Sequence, residues 1–174
     1  LGQNSNNAGS QLSISSDQYT LFGCNLKTHA LPPGYAVIDA ELRMKAEAGA
    51  GFGTVTANTY ELLNHLWSES DATWIKYNSA NNWLGSGASG NERGQLLDFT
   101  SLTTSTNWAT WNVTVGVQNS MRWDVPVDFL IVGSGSGAAV MYDKENAGSS
   151  ADYPELVINY RPGSMEVPNP PQTS

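Results

Sequence analysis

The chain has 174 residues and 18.7 kDa, enough for one domain with a proper hydrophobic core, and only 14% of it is charged. Its net charge of −8 argues against nucleic acid or an anionic membrane as partner, because both demand a cationic surface. No apolar run approaches the ~20 residues of a membrane-spanning helix, and a single cysteine, Cys24, excludes an intramolecular disulfide.

Ser, Thr and Asn supply more than a quarter of the residues, and 17 glycines accompany them. This profile suits an all-β module of the extracellular space, cell surface or virion surface rather than a helical cytosolic enzyme. Neither an initiator Met nor a signal peptide precedes Leu1, which reads as the start of a processed or excised segment.

In chain order, short strands are expected at 11–15 and 19–26, separated by Ser16 and Asp17. The clearest period lies at 36–47. There Ile38, Ala40, Leu42, Met44 and Ala46 alternate with Asp39, Glu41, Arg43, Lys45 and Glu47, placing one face in a core and the other in water. Pro32, Pro33 and Gly34 before it and the glycines of 49–53 after it read as turns. Further strands are expected at 54–62, at 108–117 (Trp111, Val113 and Val115 alternating with Asn112 and Thr114), at 128–132, at 138–142 and at 156–160. A flexible hairpin is expected at the Gly/Ser run 133–137. The expected architecture is a single antiparallel β-sandwich over residues 1–162, followed by a Pro-containing linker or arm at 163–174.

From Trp67 the chain reads WSESDATWIKYNSANNW, a W-x-E-x-x-A-T-W pattern followed by a loop and another Trp. Three more stretches accompany it: LFGCNLKTHALPPGYAVIDAELRMK, WNVTVGVQNSM and MYDKENAGSSADYPELVINY. Together they resemble, in order, the DNRLRE domain (the disaggregatase-related repeat), a family grouped with carbohydrate-binding modules. The resemblance implies a jelly-roll β-sandwich without catalytic chemistry, with Trp67 and Trp74 in the core. Cys24 departs from it, standing where Phe is more usual. The family also starts with an additional strand, for which few residues precede NSNNAGSQLSI here. That departure implies either a fragment boundary at Leu1 or a strand donated between copies. The assembly edge would then be Gln11, Leu12, Ser13, Ile14 and Ser15, with Met165 and Val167 of the arm as donor.

Catalytic constellations are thin. His29 and His65 each stand apart from other metal-ligating residues, and no nucleophile elbow, phosphate loop or His-Glu-x-x-His occurs. Asp39 and Glu41, about 7 Å apart on one strand face, have the spacing of a glycosidase pair, but among Arg43, Lys45 and Glu47 they read as a solvated charged face. Structural calcium suits so acidic a chain, with Asp17, Asp71, Asp143, Glu145 and Asp152 as loop acids, although no EF-hand loop is present. Asn112, Val113 and Thr114 match a glycosylation sequon.

Sugar recognition needs flat aromatic platforms beside amide and carboxylate groups. Trp111 has the inward parity of its strand; the expected exposed rings are Trp83, between Asn82 and Leu84 before a Gly/Ser loop, and Trp108, after Asn107, then Tyr77 beside Asn78 and Trp123 beside Asp124. Two functions follow. One is a non-enzymatic surface module binding a polysaccharide or cell-surface glycan through these rings. The other is a structural subunit of a virion or surface filament, assembling with copies of itself or other particle proteins.

Overall fold

The computed structural model describes residues 12–26, 34–144 and 147–163. The elements run β1 (Leu12–Ile14), β2 (Tyr19–Cys24), β3 (Tyr35–Lys45), β4 (Thr54–Leu62), β5 (Arg93–Thr103) and β6 (Trp108–Asn112). Then come α1 (Thr114–Trp123), β7 (Val127–Ser134), β8 (Ala139–Met141) and β9 (Glu155–Pro162). Among the described residues the fold is all-β with one short α-helix. Every strand pairing is antiparallel: one sheet has the order β2-β7-β4-β5, a second β6-β3-β9, and β1 pairs with β8. The β1-β8 pair joins the end of β3 through a bridge from Met141 to Ala46, where Tyr142 N–H donates to the Lys45 carbonyl.

Alternation builds β3 as expected: Ala40, Leu42 and Met44 are fully buried, while Glu41, Arg43 and Lys45 lie on the other face. Ile38 departs from the expected parity and is 51% exposed. The register with β9 shifts between Val37 and Asp39, so the extra residue turns Ile38 outward and Val37 takes the buried place.

The inward residues of both main sheets and of the β1-β8 pair share one core, including Ile14, Leu42, Met44, Val55, Trp111 and Phe129. Trp111 on β6 donates its indole N–H to the Ala57 carbonyl on β4 at 3.0 Å, so its one polar atom is satisfied within that core.

Three expectations are corrected. The strand at 108–117 ends at Asn112, whose Oδ1 accepts from Thr114 N–H. Thr114 Oγ1 accepts in turn from Ala40 N–H, and α1 follows with Gly116, Val117 and Ser120 buried at helical spacing. The Gly/Ser run 133–137 is no hairpin, because β7 and β8 belong to different sheets and the run crosses between them. A Cβ at Gly137 would meet the Thr54 backbone at 2.5 Å, so only glycine passes there. Finally, β5 was not expected at all. Among the described residues it pairs only with β4, and its Leu96 and Phe99 are exposed.

Candidate functional site

The outer face of β6-β3-β9 is where the strands display polar chemistry together. The register sets Trp108 beside Lys45, Thr110 beside Arg43 and Asn112 beside Glu41; on the other side of β3, Glu155 stands beside Arg43, Val157 beside Glu41 and Asn159 beside Asp39. Trp108 is 38% exposed, so one part of the ring is held by the sheet and another is open. Arg43 is ion-paired to Glu41 at 2.5 Å and Lys45 to Asp152 at 2.5 Å, while Asn159 donates to Asp39 at 3.2 Å. Asp39 and Glu41, which share the spacing of an acid–base pair, are thus engaged with Asn159 and Arg43 on an open face. A ring with hydroxyl, amide and carboxylate neighbours can stack on the apolar side of a sugar and hydrogen-bond its edges.

The other expected rings do not join Trp108. Trp83 is buried at 5% exposure, which corrects the expectation of an exposed platform. The segment between β4 and β5, residues 63–92, folds over the outer side of the four-stranded sheet and carries Trp83 down onto a second apolar cluster with Leu62, Ala88, Leu130 and Val132. There the Trp83 indole N–H donates to the Thr73 carbonyl at 2.9 Å, and Tyr77 packs against the ring at a centroid distance of 5.6 Å. Trp67 borders the same cluster, whereas Trp74 packs on Tyr19 at 4.7 Å. Trp123, 71% exposed, ends α1, apart from the strand face that carries Trp108.

A buried polar node beneath that covering segment was not anticipated. β7 is buried on both sides: Val127, Phe129 and Ile131 enter the main core, and Leu130 and Val132 the second cluster. Asp128 falls on the second side, buried, where Trp67 Nε1 donates to its Oδ1 at 2.9 Å and His65 Nδ1 lies 2.7 Å from its Oδ2. Desolvation pushes the Asp128 carboxyl pKa above its ordinary 3.8, against the lowering effect of these two partners. Across the strand pair, a Cβ at Gly23 would meet both Asp128 Oδ1 and the Trp67 ring at 2.7 Å, so the close approach requires glycine. Cys24 faces the main core, and burial followed by the nearby Asp128 charge raises its thiol pKa above 9.0, the opposite of an activated nucleophile. The available signal for the node was one acid inside the apolar run Val127–Ser134.

Glu92 and Arg93 also secure the covering segment. Glu92 is buried and accepts from Leu84 N–H, while Arg93 donates to the carbonyls of Ala88 and Gly87 and lies over the rings of Tyr19 and Tyr60.

Of the expected assembly edge, Leu12, Ser13 and Ile14 pair with Met141, Val140 and Ala139, and Ile14 is fully buried. Ser15 donates its N–H to the Gln18 carbonyl. Gln11, Met165 and Val167 lie outside the described residues, as do His29, Glu145 and the arm beyond Gly163. Among the described residues no group of three or more His, Cys, Asp and Glu could hold a metal ion. No described helix is long and apolar enough to cross a membrane. In comparisons with known proteins, no family model and no curated protein matches the chain.

Proposed function

We propose that the chain is a non-catalytic module of the extracellular space, cell surface or virion surface that binds carbohydrate, folded as a jelly-roll β-sandwich of DNRLRE type. The observation that carries the reading is Trp108: a part-exposed indole on a regular strand face, flanked by Thr110, Asn112 and the Lys45 stem. The two main sheets contributing to one core support the sandwich, and the low charge of the chain supports the location. Isothermal titration against a panel of soluble polysaccharides tests it. Trp108→Ala should weaken binding about tenfold or more with an unchanged circular dichroism spectrum, and Trp123→Ala should leave it intact. Full binding by Trp108→Ala sinks the assignment, and cleavage of any polysaccharide by the purified protein sinks the non-catalytic reading.

A second reading, a structural subunit of a virion or filament, draws on β5. This edge strand exposes Phe99 (63%) and Leu96, an apolar feature that association between copies would cover. Light scattering after size exclusion discriminates the two: a monomer near 18.7 kDa favours the binding module, a discrete multimer the subunit.

A further inference from the structure

Resting on the carbohydrate-binding reading, we propose that the ligand of the β6-β3-β9 face is an uncharged polysaccharide bound along its chain, not an acidic one. The charges on this face decide the sign. The two cations nearest Trp108 are each ion-paired, Arg43 with Glu41 and Lys45 with Asp152. Asp39 and Glu155 add two further carboxylates beside them, and the third cation of the strand register, Arg161, stands opposite Ala36 at the other end of the face from Trp108. A uronate or sulfate laid on Trp108 would meet cations already paired and carboxylates left over, and the chain's net charge of −8 adds long-range repulsion. A neutral ring meets none of that cost. Its hydroxyls can donate to Asp39, Glu41 and Glu155 and exchange hydrogen bonds with Thr110, Asn112 and Asn159, all of which stand on the outward rows of the same three strands.

The layout also sets the mode of binding. Trp108 lies at one end of the face, opposite Lys45, and the polar positions continue along β3 as far as Asp39. The six residue steps from Lys45 to Asp39 span about 20 Å, longer than one sugar ring. One stacking position followed by a hydrogen-bonding row therefore fits several consecutive sugars. A deep pocket for a chain end would gather its groups around a single ring instead.

The test is affinity electrophoresis and titration calorimetry of the full chain at about 0.02 M and about 0.15 M salt, chosen to lengthen and shorten the screening distance. The probes are neutral glucan, xylan and mannan against polygalacturonate and alginate, with neutral oligosaccharides of increasing length. At least one neutral polymer should bind at both salt concentrations and the acidic polymers at neither, with affinity rising from mono- to tetrasaccharide. Trp108→Ala should weaken neutral binding about tenfold or more, a loss of ~1.4 kcal/mol. Glu155→Lys, which places a new cation beside Arg43, should create binding to polygalacturonate at the lower salt. Acidic polymers binding the unaltered chain as tightly as neutral ones would overturn this inference and leave glycan binding standing. A monosaccharide binding as tightly as the tetrasaccharide would overturn the extended mode. If no polysaccharide of either kind binds, the carbohydrate reading itself falls and this inference with it.

Discussion

Trp67 donates its indole N–H to Asp128 at 2.9 Å, and this bond ties the segment covering the four-stranded sheet to the middle of the fold. The carboxyl group is buried and also faces His65 at 2.7 Å, so removing it leaves two polar groups of the covering segment without their partner. Asp128→Ala is expected to cost about 3 kcal/mol. Asp128→Asn, which keeps an acceptor for Trp67, should cost less. Urea unfolding followed by tryptophan fluorescence measures both, and equal costs would contradict the role of the hydrogen bonds.

The same residue gives a pH dependence with a definite sign. Its folded-state pKa is raised above 3.8, chiefly by desolvation, so the folded chain holds this proton more tightly than the unfolded chain. Its contribution to stability is present below 3.8 and lost as pH rises through the raised value. Asp128→Asn cannot titrate. The stability difference, unaltered chain minus variant, should therefore decline with rising pH through this window, and a difference constant from pH 3 upward (about the range where carboxylates titrate) would refute the assignment.

Gly116 sets two effects against each other. Glycine to alanine inside a helix ordinarily gains up to about 1 kcal/mol. Here the added Cβ would meet Phe129 Cε1 at 2.9 Å and Leu97 Cδ1 at 3.0 Å, both side chains packed into the main core. Overpacking costs about 1–3 kcal/mol, so it should win and Gly116→Ala should lower the unfolding midpoint. A raised midpoint would show that the two side chains yield freely.

Trp111 combines a large buried ring with a satisfied N–H. Trp111→Phe leaves the Ala57 carbonyl without that donor and a space where the indole stood, for a cost of about 2–4 kcal/mol. Trp83→Phe similarly loses the bond to the Thr73 carbonyl and should loosen the covering segment ahead of the main core. Hydrogen exchange of 63–92 in that variant should accelerate while the β3 amides stay protected. Uniform acceleration in both regions would mean that the covering segment and core unfold together.

Quenching separates the indoles. Trp123 is the most exposed of those discussed, Trp108 intermediate, and Trp83 and Trp111 buried. Trp123→Phe should remove the largest acrylamide-accessible share of the fluorescence and Trp111→Phe almost none.

Period-two patterning made β3 legible almost residue by residue, because a strand buried on one face must alternate and the charges on 39–45 could go only to water. The same logic misled at two places. Val113 and Val115 alternate as a strand would, yet the backbone turns helical at Thr114 because a side chain on β3's neighbour and the Ala40 amide capture it, a partnership 74 residues apart. Ile38 left its parity because a bulge is a property of the pair β3-β9 and not of either strand. β5 was illegible for a related reason: its register with β4 shifts twice, between Thr59 and Tyr60 and between Tyr60 and Leu62, and these bulges break its alternation.

For the site, composition and spacing could name the aromatic rings but could not place them. Trp108 was named as an open ring from its place after Asn107, and the alternation of β6, with Ala109 and Trp111 buried, turns it outward. Trp83, in a Gly- and Ser-rich segment without periodicity, could be placed only by the tertiary structure, which lowers it onto Leu62 and Leu130 from strands remote in sequence. The amino-acid sequence alone determined the all-β character, the absence of an intramolecular disulfide and the acidic balance, since these follow from residue types and local period. The tertiary structure decided which indoles meet water, where the buried Asp128 finds its partners and which charges cancel on the outer face, because each depends on contacts between residues far apart along the chain.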